Sequence, residues 1–283
     1  MKSPFMFKEE IVKDPKKAVR RFLKESGRRD KDFLEKGKKY FGDEENLREF
    51  LHKFYLELAK QKIKESYSPD IIISHLINSV DEIDKIINTL YERVGEIYGL
   101  YRPEEFRKWQ AKKMAETIMN EKGDSREGMG FDFDKPTLEL LKEYAKEILN
   151  LIDLKENIIK NIEKKMDDFA KNLSTVLGPL LGAKMISIAG SLKNLANMPS
   201  STIQVLGAEK ALFRHLRKGT KPPKHGVIIQ HPLVAKAKKN EKGRVSRAVA
   251  AKAAIAAKVD YYGGKFVGDK LLKEMEEKHE KNI

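Results

Sequence analysis

The chain has 283 residues, with 57 Lys and Arg against 43 Asp and Glu, and its formal net charge is +14. It contains no cysteine, which excludes disulfides, thiol catalysis and zinc sites built on cysteine ligands. No apolar run approaches the roughly 18 to 20 residues that a membrane helix needs, and the first ten residues lack a signal-peptide core, so we expect a cytoplasmic protein.

The stretch before Pro69 is highly charged and mostly helical in pattern. Phe50, Phe54 and Leu58 recur at every fourth position near its end, which is typical of one face of a helix. No strong strand is indicated. We treat residues 1–68 as an N-terminal helical segment, and the pattern assigns it no function.

A first apolar seam follows, with spacings that alternate between three and four positions. Its members are Ile73, Leu76, Val80, Ile83, Ile87, Leu90, Val94 and Ile97. Ser68 followed by Pro69 marks a helix start, and Gly99 with Pro103 predicts its end.

A second seam predicts a helix over residues 137–173, roughly 55 Å long. Tyr144, Leu151 and Ile158 widen this seam, so it must face more than one neighbour. We therefore predict an antiparallel coiled-coil domain over residues 69–173 that forms a homodimer; an ordinary bundle core is the alternative. The predicted dimerisation residues are Ile83, Ile87, Leu90, Leu141, Ile148, Ile152 and Ile159.

Beyond residue 173, glycines and prolines divide the chain into short helices, which predicts a compact, separate module over residues 174–268 and a charged tail over 269–283. Within the module we expect a helix over 208–217 closed by Gly219, an extended segment over 225–232, and an Ala-rich helix over 243–261. The predicted fold class is mainly α: a long antiparallel helical arm plus a compact all-helical domain.

The positive charge is concentrated in one stretch. Residues 200–260 hold 14 Lys and Arg against three acids, a net +11, so the rest of the chain shares only +3. A field this concentrated attracts polyanions, nucleic acid before a membrane surface. A solvated lysine surface is the alternative.

The segment that starts at Gly207 carries much of this charge. Gly207 would let a phosphate approach the N–H groups of the following helix, while Leu212 and Leu216 would pack inward. The candidate nucleic-acid-binding residues of this segment are Gly207, Lys210, Arg214, Arg217 and Lys218.

The Ala-rich helix adds further candidates. Arg244 and Arg247 should share an exposed, alanine-lined arc with Ala251, Ala254 and Lys258. The apolar residues Val245, Val249, Ile255 and Val259 should face the core on an adjacent arc. With few aromatic residues nearby, phosphate and shape recognition of a structured RNA fits better than base stacking.

No catalytic motif emerges. The run from Gly178 to Lys184 fails the phosphate-loop spacing and lacks the hydroxyl after the lysine. His225 and His231 have no acidic or Cys partners that would complete a metal site, so structural or RNA-contacting roles are favoured. We expect no enzyme activity, no cofactor and no metal.

Several of these segments together resemble the Nop family, which includes the archaeal scaffold of box C/D small ribonucleoproteins and its nucleolar and spliceosomal relatives. The resemblance covers roughly residues 70–268. It is carried by Gly207-Ala-Glu-Lys-Ala-Leu-Phe213, Pro223-Lys-His-Gly226, Gln230-His-Pro232 and Gly243-Arg-Val-Ser-Arg247, with weaker support from Gly178-Pro-Leu-Leu-Gly182, Met198-Pro-Ser-Ser201 and Gly123-Asp-Ser-Arg126.

The resemblance implies a dimeric coiled coil and a Nop domain that binds a kink-turn guide RNA together with its kink-turn-binding protein. It implies a complex that positions fibrillarin for 2′-O-methylation of RNA, with this chain as scaffold. By motif position, Gly207, Ala208, Glu209, Lys210 and Arg214 should meet RNA or the kink-turn protein. Gln230, Arg244 and Arg247 are further RNA-binding candidates.

One departure concerns the N-terminus. The family normally begins with a longer α/β domain that docks fibrillarin, whereas the stretch before the arm already ends at Ser68 here. Either the chain is truncated or the module is reduced, so the sequence leaves fibrillarin binding open. Two other functions stay open as well: a purely structural coiled-coil connector, and a nonspecific binder of nucleic acid or membrane surfaces.

Overall fold

A computed structural model describes residues 4–7, 10–25, 33–103, 110–121 and 129–280. The chain divides into two compact units, Met1–Ser68 and Pro69–Ile283. Over the described residues the fold is mainly α, as predicted. Its helices are α1 (Pro15–Glu25), α2 (Phe33–Phe41), α3 (Glu44–Glu65), α4 (Pro69–Tyr101), α5 (Ala111–Met119), α6 (Lys135–Phe169), α7 (Lys171–Leu177), α8 (Pro179–Ala189), α9 (Leu192–Asn197), α10 (Ser200–Val205), α11 (Glu209–Lys218), α12 (Pro232–Lys236), α13 (Lys242–Tyr262) and α14 (Gly268–Glu280).

The N-terminal unit packs α1 and α2 on α3 around phenylalanine rings. Phe50 and Phe54 are buried, and their rings lie 4.7 Å from Phe41 and 5.5 Å from Phe22, respectively, centroid to centroid. Two short antiparallel strands, β1 (Met6–Phe7) and β2 (Glu10–Ile11), precede the helices. The sequence pattern does not indicate these strands, because a strand of two positions is too short to show an alternation.

The arm consists of α4, α5 and α6. Helix α4 begins at Pro69, as predicted, and its seam packs against the seam of α6. Between the two seams the sequence also predicts a shorter helix over 104–120 and a Gly- and Asp-rich loop over 122–135, and both lie partly outside the described residues. Lys155 occupies a position of the α6 seam that is otherwise apolar. Its ammonium donates to Asp84 of α4 at 2.5 Å, so an ion pair accounts for the charge at this position.

Helix α6 ends at Phe169, earlier than the predicted end at 173, because the backbone leaves the helical region at Ala170. Helix α7 starts immediately afterwards, and Asp260 near the end of α13 caps it. The Asp260 carboxylate accepts hydrogen bonds from the backbone N–H groups of Asn172 (3.1 Å) and Leu173 (2.8 Å). Asn172 in turn accepts from the N–H of Val267, just before α14. One carboxylate thus connects α13, α7 and the approach to α14.

The C-terminal helices share one core with the base of the arm. Ile73 and Ile77 of α4 and Met166 of α6 lie in the same buried cluster as residues of α7 to α10 and of α12 to α14. The seam of the arm therefore continues into the core of the C-terminal helices, and Pro69–Ile283 is one compact unit. No single described helix is long and apolar enough to cross a membrane; only α7 with α8, bent by 114°, passes that test as a pair.

The last segment is also part of this core. Leu271 and Met275 of α14 are buried against it, and Glu274 forms an ion pair with Lys252 of α13. The charged composition of residues 269–283 suggests a tail, but two apolar residues four positions apart suffice to dock a helix on one side.

Replacing Asp260 with Ala should lower the free energy of unfolding by about 1 to 3 kcal/mol, because two N–H groups at the start of α7 lose their acceptor. Urea unfolding measures this loss. The matched control is Asp153→Ala on the exposed side of α6, which should stay within about 0.5 kcal/mol of the wild type. Equal losses in both variants would contradict the capping role.

Candidate nucleic-acid interface

Helix α11 lies at the centre of the predicted interface and matches the predicted bounds closely at both ends. Its C-terminal cap is Gly219, in the left-handed conformation at φ 63°. Gly207, with φ 83°, stands just before its start, and a Cβ there would lie 2.6 Å from Val227 Cγ1. Glycine is favoured at 207 because φ is positive there and because a Cβ would clash with the Val227 side chain. Its own N–H donates to the Glu209 carboxylate at 2.8 Å and is not available to a phosphate.

The apolar side of α11 faces solvent. Leu212, Phe213 and Leu216 are 36%, 58% and 68% exposed, and no residue of the helix is buried. The prediction that Leu212 and Leu216 pack inward is wrong. Their i, i+4 spacing does place them on one side of the helix, but no other described part of the fold covers that side.

The cations of α11 occupy the other side. At about 100° per residue, Lys210, Arg214 and Arg217 fall within roughly 60° of arc, opposite Leu212 and Leu216. All three are exposed, as is Lys218. A helix that presents a basic side and an apolar side to solvent can contact two chemically different surfaces.

Helix α13 is the central helix of the C-terminal core, and its buried residues cover about half of its circumference at 100° per residue. Arg247 is exposed and forms no ion pair within the described part of the chain, whereas Arg244 pairs with Glu241 at 3.3 Å. The predicted arcs are wrong at two positions: Ala254 is buried and Ile255 is exposed. An alanine can lie either in a close helix contact or in solvent. The sequence pattern therefore does not show which side of α13 other helices cover.

Sequence reasoning missed Gln204, the residue that assembles the region behind α11. Its buried side-chain amide donates to the carbonyl of Lys224 at 2.7 Å and lies 3.4 Å from that of Gly243. It thereby ties α10 to the Pro-rich loop and to the first turn of α13. No local signal marks this role, because both of its partners are distant in sequence.

The sequence predicts an extended segment after the Pro-rich loop. The structure instead forms a 3₁₀ turn there, at Val227–Gln230. The N–H groups of Gly226 and Val227 donate to the carbonyls of Gln204 (2.9 Å) and Leu206 (2.8 Å). A Cβ at position 226 would lie 1.9 Å from the Leu206 carbonyl oxygen, so only glycine fits. The turn is therefore fixed against α10, and it leaves Gln230 exposed at its end.

His231 is structural. Its Nδ1 accepts from the N–H of Leu233 at 3.3 Å, so Nε2 carries the proton and donates to the carbonyl of Val176 at 3.1 Å. Burial lowers the pKa of the imidazole below its ordinary value of 6.5, and the hydrogen bond to Val176 offsets part of that effect. The neutral ring joins α12 to α7, and within the described residues no metal-ligating cluster surrounds it.

The predicted RNA-binding residues fall into two groups. Gly207, Ala208 and Glu209 lie beside the 3₁₀ turn that ends at Gln230, and the loop held by Gln204 leads to Arg244. Lys210, Arg214, Arg217 and Lys218 extend along α11, away from the core. The structure thus joins the first group through packed backbone and leaves the second on a projecting helix.

The predicted dimerisation residues lie inside the arm. Ile83, Ile87, Leu141 and Ile148 are buried in the cluster that α4, α5 and α6 form within one chain. Leu90 and Ile152 pack against that cluster, and Ile159 packs against the shared core. A second copy of the chain could touch the buried four only if the hairpin opened.

Comparison with known proteins defines the class. The family model described as Nop, snoRNA binding domain, fibrillarin matches residues 105–281, which is more than half of the chain. The chain therefore belongs to the Nop family.

Three relatives show how far the likeness extends. An uncharacterised NOP5 family protein of Methanocaldococcus jannaschii is 36% identical over 85% of this chain and 64% of its own length. Nucleolar protein 56 of Caenorhabditis elegans is 34% identical over 72% of this chain, which is 49% of its own length. A chain in the crystal structure of a fibrillarin/Nop5p complex matches 98% of this chain and 96% of itself, with 25% identity and a TM-score of 0.53. The chain thus spans about half to two thirds of these two curated relatives, yet nearly all of the solved one.

The neutral state of His231 predicts an acid-side loss of stability. The unfolded chain takes up a proton near pH 6.5 that the folded chain resists, so the stabilising contribution is complete above about pH 6.5 and falls as the pH drops below it. Urea unfolding at about pH 7.5 and about pH 5.5 should show this decline. His231→Gln should remove part of the decline, and His52→Gln, at an exposed position, should not. Identical declines in both variants would contradict the assignment.

Proposed function

We propose that this chain is a scaffold of a box C/D-type guide ribonucleoprotein. It binds a kink-turn guide RNA together with the kink-turn-binding protein, and it organises the complex for 2′-O-methylation of RNA by fibrillarin. The chain itself acts as a binding protein, and the methyl transfer is the work of fibrillarin.

The observation that carries this proposal is the two-sided exposure of α11. A basic side with Lys210, Arg214 and Arg217 suits an RNA backbone, and an apolar side with Phe213 and Leu216 suits a protein or a stacked base pair. A partner surface made jointly of RNA and protein matches both sides at once. The family's description as a snoRNA-binding domain supports the RNA half of this surface.

Two further sets of donors are available for phosphate contacts. The backbone N–H groups of Glu209, Lys210 and Ala211 at the start of α11 have no acceptor within the described part of the chain. Arg247 is exposed on α13 and offers a planar guanidinium for bidentate phosphate binding. These groups would contact RNA phosphates rather than base edges, so they would position the RNA more than they would read its sequence.

Fibrillarin would dock on the N-terminal unit. The matched chain in the fibrillarin/Nop5p structure aligns over nearly its whole length, so the short N-terminal unit of this chain has a counterpart there. In this chain, Leu56 and Ile63 lie seven positions apart on α3 and are both exposed. An apolar pair of this kind on so small a unit is suited to a protein partner.

A second copy of the chain would cover the outer side of α6. Leu140 and Leu154 are 54% and 49% exposed, and Tyr144 lies on the same arc of the helix. This arc adjoins the buried seam and continues its apolar character outward. It replaces the buried seam residues as the proposed dimer face.

The scaffold function predicts that the chain binds the complex of a kink-turn RNA with its protein more tightly than the naked RNA, because only the complex covers both sides of α11. Titration of labelled RNA at several salt concentrations measures this. Arg244→Ala with Arg247→Ala should flatten the salt dependence of log K by about 1 to 2 units. Phe213→Ser with Leu216→Ser should chiefly reduce the gain that the kink-turn protein provides.

The matched control for the arginine variant is Lys160→Ala with Lys164→Ala, which removes two exposed charges from the arm. Equal affinity of the wild type for naked and protein-bound RNA would overturn the composite surface. An unchanged salt slope in the arginine variant would remove Arg244 and Arg247 from the phosphate contacts.

The dimer proposal predicts that Leu140→Lys with Leu154→Lys converts the chain to a monomer, because charge on the outer arc of α6 would have to be buried without a partner. Light scattering gives the mass of each variant. Lys160→Glu, on the opposite side of α6, should leave the dimer intact. A wild type that is monomeric at micromolar concentration would contradict the proposal.

A further inference from the structure

A polar cleft of about 230 Å³ opens between α1 and α3 of the N-terminal unit. It is separate from the interface around α11 in sequence and belongs wholly to residues 1–68. Six residues line it: Lys16, Arg20, Glu57, Lys60, Gln61 and Lys64.

The packing of two helices creates this cleft. Ala18 and Val19 of α1 are buried, and Phe22 of α1 meets Phe54 of α3 with ring centroids 5.5 Å apart. Lys16 and Arg20 are four positions apart and therefore stand on one edge of α1, about 6 Å apart along its axis. Lys60 and Lys64 form the corresponding pair on α3. The two pairs form facing rows above the phenylalanine core.

The cleft concentrates positive charge. Four cations and one carboxylate give it a net charge of +3. Within the described residues none of the four cations forms an ion pair, although α3 carries several acidic residues. The unit as a whole carries 19 Lys and Arg against 13 Asp and Glu. Like charges held side by side repel each other, and an anion between the rows would relieve that repulsion.

We propose that this cleft binds the phosphodiester backbone of RNA, as a second contact of the chain with the RNA of its complex. This inference rests on the proposed function. The lining contains no aromatic side chain, so base stacking is absent and recognition is confined to phosphate and sugar. Two parallel rows of cations fit a phosphate chain better than a single enclosed anion. Arg20 supplies a bidentate donor, and the Gln61 amide supplies a neutral one.

The test uses the full chain and a labelled guide RNA that contains a kink-turn, with its kink-turn-binding protein bound. Arg20→Ala with Lys64→Ala should weaken binding and flatten the salt dependence of log K by about 1 to 2 units. The matched control, Lys39→Ala with Lys62→Ala, removes two exposed charges of the same unit outside the cleft and should leave the slope unchanged. Glu57→Gln should tighten binding, because it removes the one repulsive charge. Equal slopes in the cleft and control variants would overturn the proposal.

Three further binding measurements separate the possible outcomes. A single-stranded RNA without a kink-turn should show the same loss of affinity in the cleft variant, because the contact is independent of sequence. This measurement tests the cleft even if the chain does not bind the kink-turn complex. Vesicles of anionic phospholipid, and fibrillarin in a pull-down, should bind the cleft variant and the wild type equally. A loss confined to either of these two partners would overturn the RNA assignment, and thermal unfolding should show both variants folded.

Discussion

The hydrogen bonds between the Asp260 carboxylate and the first turn of α7 decide how the C-terminal helices stand on the arm. Helix α7 has only seven residues, too few to be stable alone, and it begins where α6 has just ended. Its start is held by a residue from the far end of α13. Since Asn172 also accepts from the N–H of Val267, the position of α14 depends on the same contact. Arm and C-terminal helices therefore form one mechanical body.

The central place of α13 explains where binding surfaces can form. Its alanines let neighbouring helices approach closely on about half of its circumference, so only the other half offers surface. The exposed cations Arg244, Arg247 and Lys258 lie on that other half. Helix α11, which has no buried residue, exposes a larger share of its own surface. The core holds these helices in place, while α11 and the loop that Gln204 holds present exposed charged and apolar side chains.

Helix positions were predictable from sequence because periodicity, proline and glycine act locally: Pro69 starts α4 and Gly219 ends α11. The sides that helices bury were less predictable. Leu216 has the spacing of a core residue, but no described neighbour covers it. The segment that carries Met275 has the composition of a solvent-exposed tail, but Met275 is buried against the core. Burial depends on what the rest of the chain places opposite a helix. Gln204 and Asp260 left no signal, because their partners are distant in sequence.

The stability of helix α11 is limited because the rest of the chain buries none of its side chains. A helix of ten residues without a buried side chain is marginal in water, since nucleation costs more than so short a helix returns. Its C-terminal end is held by the glycine cap at 219 and by a hydrogen bond between His215 and the Thr220 carbonyl. A ligand that covers the apolar side of α11 would therefore add the tertiary packing that the helix lacks in this chain, and would stabilise the helix as it binds.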